Sequence, residues 1–393
     1  MIYLDVTSAA TSRMSTGVQR AIRGIYRVLG DQRCVPVIWD RQGKCYARLS
    51  QLEEERLVRP FASGFRASFW PDVQEQLLSL RGILNKFGKH ERRIPMQGFP
   101  GDGNILLIPD LCWDSRVLSW EKLATQPGHI VAIFHDAMPL RLPGQSSSRD
   151  SLFAEYVRGL GRMDLVICVS QEVEQDLLGY WKQFGIQRKP TKVIPWPMPF
   201  EGSRPPVMDA SYPPSLLYVS RLRLRKNHLV LLDACERLWQ QGLKFSLDLI
   251  GIADAPADTW KIFRQIRRLA RQGRPVRWLR HVSDAELAQA YKECGFTVFP
   301  SKMEGFGLPI LESLWHGRPV ICGSNGALGE VSSGGGCLHV DQNDPVALAE
   351  GIRRLLEDPS QLDSLRQEAQ HRCFRSWSDY QVDLLGSLAE VWS

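Results

Sequence analysis

Phe299-Pro-Ser-Lys-Met-Glu304-Gly-Phe-Gly-Leu-Pro309-Ile-Leu-Glu312 decides how this chain folds. The apolar run Phe296–Pro300 predicts a strand, Gly305 and Gly307 predict a loop, and a helix starts around Leu308. Proline fits the first turn of that helix, where its missing N–H costs nothing. A strand passing through a glycine loop into a helix is part of a βαβ unit. Gly305 and Gly307 let the backbone approach a ligand closely, and the helix start offers free N–H groups to a phosphate. Glu304 in the loop and Glu312 in the first turn can face the same space. Carboxylates there accept hydrogen bonds from the vicinal hydroxyls of a ribose or hexose. The competing role for Glu312, complementing the helix dipole, is worth about 0.3–1 kcal/mol.

The same alternation extends in both directions. Downstream of residue 214, strands are predicted at Leu216–Ser220, Phe245–Gly251, Val276–Leu279, Pro319–Cys322 and Cys337–Val340, with helical runs such as Leu229–Gln241 and Asp284–Cys294 between them. Upstream, the apolar runs are Ile2–Val6, Val35–Trp39, Ile105–Pro109, Ile130–Phe134, Leu165–Val169 and Lys192–Pro195, with helices at Val18–Leu29 and Gln171–Phe184. Several runs are near-continuously apolar, which suits parallel strands buried on both faces. Residues 40–100 fit poorly and read as an insertion with its own helices. Between Pro195 and Pro214 lie seven prolines, which neither complete a ladder nor continue a helix. The reading is an α/β chain of two Rossmann-like domains, residues 1–195 and 215–375, joined by a hinge at 196–214 and followed by an amphipathic helix in 376–393. Their parallel sheets face each other across a cleft, and ligands of such sheets bind beyond the carboxyl ends of the strands.

A second strand-to-helix connection carries charge: Leu217-Tyr-Val-Ser-Arg221-Leu-Arg-Leu-Arg-Lys226-Asn-His. Arg221 and Lys226, five residues apart, can converge on one diphosphate and neutralise charge developing on it as a bond to it breaks. Arg223 and Arg225 read as solvated neighbours.

Composition excludes several classes. With 393 residues, 44% hydrophobic and 23% charged, the chain is long and apolar enough for two cores and is not disordered, collagenous or coiled-coil. No uncharged apolar run approaches the roughly 18–20 residues of a membrane span, and the start Met-Ile-Tyr-Leu-Asp-Val lacks a signal-peptide pattern. The nine cysteines are scattered and never CxxC, a pattern of buried reduced thiols in a cytoplasmic protein. Net charge is +6, too mild to imply nucleic acid, and no basic stripe with stacking aromatics is apparent. Locally, Arg81, Lys86, Lys89, Arg92 and Arg93 face only Glu91 and interleave with Leu77, Leu78, Leu80, Ile83, Leu84 and Phe87. Such a helix either packs on its own domain or lies on an anionic membrane surface.

The ordered set of Arg221-x4-Lys226, Val282-Ser-Asp-Ala-Glu-Leu, Phe299-Pro-Ser, Glu304-x7-Glu312 and Arg318-Pro-Val resembles the family 4 glycosyltransferases, retaining enzymes of the GT-B fold. The similarity is strongest over roughly 215–360. It implies that Arg221 and Lys226 bind the diphosphate of a nucleotide-sugar donor and that Glu304 contacts the donor sugar. The backbone N–H groups of Gly305, Phe306, Gly307 and Leu308 would lie near sugar and phosphate, Glu312 would hold the ribose hydroxyls, and His281 and Val282 would lie beside the base. Ser15-Thr-Gly17-Val-Gln-Arg-Ala-Ile-Arg resembles the family's loop-to-helix start against the cleft, although relatives carrying Gly-Gly there have a shorter loop than Thr7–Thr16. Gly17 has a physical reason, since a side chain would block a sugar or phosphate at the helix start. Ile133-Phe-His135-Asp136-Ala-Met-Pro139 resembles the family's strand-end histidine near the donor sugar, with His135 alternatively a structural hydrogen bonder and Asp136 orienting it or capping the next turn.

The resemblance therefore implies catalytic roles for His135, Glu304, Lys226 and Arg221, and hexose transfer with retention to a saccharide hydroxyl. Thr16-Gly17-Val and His135-Asp136 resemble bacterial mannosyl- and rhamnosyl-type transferases, which points to GDP-mannose as donor and a lipid-linked saccharide as acceptor. UDP- or dTDP-sugars are the alternative donors. No Asp-x-Asp occurs, so no metal and no cofactor are expected, the positive charge coming from Arg221, Lys226 and a helix dipole. A glycan phosphorylase and a non-catalytic sugar-nucleotide-binding protein are the other classes; the chain is short for the first, and a binding relic has no need of charges at 221, 226, 304 and 312 together.

Overall fold

The computed structural model describes residues 1–11, 16–30, 32–58, 99–112, 114–141, 147–200, 202, 204–205, 214–253 and 256–392. The basic 81–93 segment, Ser15, most of the 40–100 stretch and much of the 196–214 hinge lie outside them. Among the described residues seven strands form the first sheet: β1 Ile2–Asp5, β2 Cys34–Asp40, β3 Cys45–Arg48, β4 Ile105–Ile108, β5 His129–Phe134, β6 Leu165–Cys168 and β7 Thr191–Val193. Their order is β3-β2-β1-β4-β5-β6-β7. Six more form the second: β8 Ser215–Val219, β9 Ser246–Ile250, β10 Val276–Leu279, β11 Phe296–Phe299, β12 Val320–Cys322 and β13 Cys337–His339. They run in the order β10-β9-β8-β11-β12-β13, all parallel. In both sheets the strand order reverses beside the first strand, at β1/β4 and β8/β11. A crevice opens at such a switch point, and it places the connections after β8 and β11 side by side.

The apolar runs explain these strands. Ile105-Leu-Leu-Ile and Leu165-Val-Ile-Cys are buried at every position, because helices cover both faces of the sheet. The exception is β3, which pairs antiparallel with β2, Trp39 opposite Tyr46. The first part of the stretch assigned to an insertion is thus an edge hairpin of the first sheet. Its turn is held by the Asp40 carboxylate, which accepts from the N–H groups of Gln42 and Gly43, and by Lys44 at φ 50°. A second difference falls in the Thr7–Thr16 loop, where Thr7–Thr11 is helical. Asp5 accepts from the Thr7 N–H at 3.0 Å and so starts that turn at the end of β1.

Asp5 belongs to a buried ionic cluster at the carboxyl ends of β1 and β4. Arg116 donates to Asp5, Asp110 and Asp114, each at 2.9 Å, and Tyr46 donates to Asp5. Burial pushes the Asp110 carboxyl up, and Arg116 opposes that. Arg116→Met would leave these carboxylates without their cation at a cost of about 3–5 kcal/mol. With the cation gone, Asp110 takes up a proton on folding, so the deficit should grow as pH rises. Thermal melts at acidic and alkaline pH check both the size and the sign.

The last helix, Trp377–Trp392, returns to the first half, where Tyr380, Leu384 and Leu388 join its core. A Cβ on Gly24 would sit 2.0 Å from the Trp377 ring, so a glycine admits this indole. The two chain crossings between the halves lie together, the Met198 N–H donating to the Arg375 carbonyl at 2.9 Å. Arg204 of the hinge donates to the Leu314 and Ala369 carbonyls, tying the linker to the second half.

Candidate active site

Four segments converge between the halves: the connections after β8 and β11 from one side, the start of the helix Gly17–Leu29 and the connection after β5 from the other. After β8 the chain makes a short turn, Leu224–Lys226, and reaches the helix His228–Gln240 through Asn227 in the left-handed region at φ 60°. Tyr218 donates to the Lys226 carbonyl at 2.6 Å, and Asn227 donates to the Gln342 carbonyl at 2.5 Å. These bonds fix Lys226, whose ammonium pairs with the Glu304 carboxylate and lies 5.2 Å from the Phe299 ring centroid.

Glu304 also accepts from Ser301 at 2.5 Å and from Arg225 at 3.3 Å. Burial opposes ionisation of Glu304, but Lys226, Arg225 and these hydrogen bonds outweigh it and hold its carboxyl below the ordinary value. Burial likewise lowers Lys226, to about 8, with Glu304 opposing and Arg225 assisting. Arg225 is therefore not the solvated neighbour that its place in the loop suggests: it donates to the Met303 carbonyl at 3.2 Å and is mostly buried. Alternation along an irregular loop carries no information about facing, so nothing in the sequence distinguishes Arg225 from Arg223.

Glu312 is 4% exposed and lies in the second turn of the helix Leu308–Trp315, not the first. Its distance from the helix start weakens the dipole role. One oxygen accepts from Arg20 at 3.0 Å and the other from Tyr291 at 3.2 Å. Arg20 comes from the other half, one turn into the helix that begins at Gly17. A cation one turn beyond the Thr16-Gly17 start was the available sequence signal for it.

Both predicted loop glycines have structural duties. Gly307 caps the helix at φ 109°, a conformation that side chains resist. Gly305 meets the opposite half, where a Cβ would lie 1.9 Å from the His135 carbonyl oxygen and 3.0 Å from the Asp136 Cβ. Phe306 and Leu308 pack against both cores, and Leu308 reaches within 3.5 Å of where a Cβ on Gly17 would stand. Thr16 caps the Gly17 helix through a reciprocal capping box with Gln19. Two helix starts, each with positive partial charge, thus face one another.

The halves are drawn together beside this contact. Ser170 donates to the Gly305 carbonyl, and Glu330 accepts from the backbone N–H groups of Gln171 and Glu172, all at 2.8 Å. Glu330 so occupies the N-terminus of a helix 158 residues earlier in the chain; no local pattern signals that.

His135 is buried, and its Nε2 donates to the Pro109 carbonyl at 2.7 Å while its ring stacks on Trp196 at 5.6 Å. A carbonyl can only accept, so Nε2 carries the proton, and burial lowers the ring's pKa and keeps it neutral. Asp136 accepts from the Met138 N–H at 3.1 Å, capping the next turn, and burial pushes it up against the pull of Arg225. Arg221 is half-buried beside the β8 end. Val282 packs on the small cluster of Leu217, Ile250, Tyr291 and Cys294, whereas His281 is exposed on the connection after β10. The structure thus gathers Lys226, Arg225, Glu304, Gly305, His135 and Asp136 at one place. Gly17, Leu308 and Glu312 line its flank, and His281 stands apart.

A pH dependence follows from Lys226. A diphosphate held at this lysine would need its protonated form, which in the unliganded protein is lost as pH rises through about 8. Affinity for a nucleoside diphosphate should fall by up to about tenfold per pH unit above that value. Calorimetric titration across the range checks this, and Lys226→Arg should flatten the profile because guanidinium stays charged.

Residues 207–372 match the family model for Glycosyl transferases group 1. The chain is 25% identical over 350 residues to the serotype-specific mannosyltransferase WbdA of Escherichia coli, the match covering 81% of this chain and 38% of WbdA. It is 34% identical over 166 residues to the O-antigen chain mannosyltransferase B of Escherichia coli, 42% of each chain. The chain thus spans about two fifths of the length of WbdA. Among solved structures, a sucrose-phosphate synthase from Thermosynechococcus elongatus superposes with a TM-score of 0.66 at 18% identity, covering 100% of this chain and 98% of that one. HepE from Anabaena, in complex with UDP and glucose, superposes with a TM-score of 0.65 at 18% identity and 99% coverage of both.

Proposed function

From the Glycosyl transferases group 1 domain at residues 207–372, set in a chain of GT-B fold, we propose a retaining glycosyltransferase that moves mannose from GDP-mannose to a saccharide hydroxyl. The acceptor in this reading is a lipid-linked glycan of bacterial surface polysaccharide synthesis, met at the inner face of the cytoplasmic membrane. The observation that carries the reading is the ionic group of Lys226, Arg225 and Glu304 facing His135 and Asp136 at the switch point between the sheets. The names of the O-antigen mannosyltransferases support the choice of sugar and pathway.

Arg221, Lys226 and Arg225 hold the donor diphosphate, and Glu304 takes hydroxyls of the sugar. Glu312, released from Arg20, accepts from the ribose, and the base lies towards Val282 and His281. As the bond from the anomeric carbon to the diphosphate breaks, these cations stabilise the charge on the leaving oxygen. The acceptor oxygen bonds the same carbon on the same face, and its proton passes to the departing diphosphate. Neutral His135 walls the sugar and does not donate an acid proton. Closure of the halves at Gly305 excludes water that would hydrolyse the donor.

The test supplies GDP-mannose, UDP-glucose and dTDP-rhamnose with a lipid-linked oligosaccharide extract, and proton NMR reads the anomer formed. Transfer of mannose with retention, undiminished by EDTA, is the expected result. Turnover of the uridine donor alone, an inverted product or loss of activity in EDTA would each overturn the corresponding part.

A further inference from the structure

In the second half, the helix Pro256–Arg271 covers the edge strand β10. Trp260, Arg264, Arg267 and Arg271 recur at i, i+4, i+7 and i+11, which puts them in one stripe along the helix. The stripe runs for about 16 Å. Ile262, Ile266 and Leu269 face the core, so the stripe is the outward side. All four of its residues are exposed, and Trp260 is 57% exposed. Lys261 flanks the stripe and is exposed as well. From Thr259 to Arg271 the sequence has no acid. Among the described residues no carboxylate pairs with Lys261, Arg264, Arg267 or Arg271, whereas the neighbouring Arg268 pairs with Glu236 of the helix His228–Gln240.

The aromatic part continues beyond the helix. Trp260 lies 5.9 Å from Phe263, Phe263 lies 6.1 Å from Trp278, and Arg280 covers the Trp278 ring at 4.4 Å. An exposed indole set among these cations has a polar side suited to lipid headgroups and an apolar side suited to the acyl boundary. Solvation alone accounts for exposed arginines; it does not account for a large exposed tryptophan in register with them.

We propose that this stripe docks the second half on a bilayer surface carrying anionic phospholipid. Charge complementarity selects the occupant: the stripe is uniformly cationic, and headgroups of one negative charge each match a row of separate cations. A polynucleotide fits less well, because Arg280 already covers the Trp278 face on which a base would stack. The proposal goes beyond the transferase reading and does not depend on it, since binding is measured without donor or acceptor. It also differs from any contact made by the 81–93 segment in the other half.

The test is co-sedimentation of the full chain with vesicles of phosphatidylcholine alone and of phosphatidylcholine with equal phosphatidylglycerol. Beside it run the variant Trp260→Gln/Arg264→Gln/Arg267→Gln/Arg271→Gln and the variant Lys86→Ser/Lys89→Ser/Arg92→Ser/Arg93→Ser. Circular dichroism and melting temperature establish that the exposed substitutions leave the fold intact. The chain should bind only the anionic vesicles, and the helix variant should lose at least about tenfold in partitioning. Trp260→Gln alone should lose binding that added salt does not account for. Three results would overturn the proposal: no binding by the unaltered chain, equal binding by the helix variant, or loss confined to the 81–93 variant. Binding of a random-sequence oligonucleotide in place of vesicles, abolished by the same helix substitutions, would assign the stripe to nucleic acid instead.

Discussion

Lys226→Ala should lower turnover by about 10²–10³, the usual scale for removing one preorganised charge from a developing oxyanion. Lys226 pairs with Glu304 in a place where Arg225 also converges. A lysine already fixed by the Tyr218 and Asn227 hydrogen bonds loses little further freedom when it meets a diphosphate. Removing it leaves Arg225 and Ser301 on Glu304, so the carboxylate keeps partners and the fold should survive. Glu304→Gln separates the two roles. It keeps the shape but removes the anion that opposes the lowering of Lys226, so in mildly acidic solution, where Lys226 stays protonated, diphosphate affinity should hold or rise while sugar transfer falls, and that affinity should drop away at lower pH than in the unaltered chain. Parallel calorimetry and turnover on both variants check this, and equal loss of affinity in both would contradict the division of labour.

Gly305→Ala has the second large effect, for a different reason. Its new Cβ would meet the His135 carbonyl oxygen at 1.9 Å, and the opposing atom is backbone rather than the end of a flexible side chain. The halves must therefore part, or the loop after β11 must move. Either change strains the Ser170 contact to Gly305 and the Glu330 contacts to the helix Gln171–Gln183. A displacement of about 1 Å at a reacting centre costs on the order of 10²-fold in rate. Nucleoside diphosphate binding, which the proposed function assigns to the second half, should change far less than turnover. Comparing the two quantities in one variant, with a melting curve to show folding, distinguishes lost closure from lost binding.

The fold was legible because its signals are local. Near-continuous apolar runs such as Ile105–Ile108 can be buried only where helices cover both faces, and the proline run marks where one sheet ends and the next begins. The edge strand Cys45–Arg48 was not legible: four residues in an antiparallel hairpin give no period distinguishable from a loop. Nor was the helical turn Thr7–Thr11, which depends on the Asp5 carboxylate. At the site, the loop ends, the two glycines and the charged residues could be placed on the correct connections from spacing alone. Facing could not. Arg225 turns inwards, Glu312 is one turn further along its helix, and the Nε2 of His135 is committed to the Pro109 carbonyl. Contacts between the halves, such as Glu330 with the Glu172 N–H, join residues 158 positions apart and leave no trace in either stretch.

The most direct measurement is a thermal-shift panel of GDP, UDP, dTDP, CMP and ADP without added metal, on the unaltered chain and on Lys226→Ala. The expected result is a rise in melting temperature with GDP that exceeds the others and disappears in the variant. A shift equal in both proteins, or no shift with any nucleotide, would contradict the placement of a donor diphosphate against Lys226.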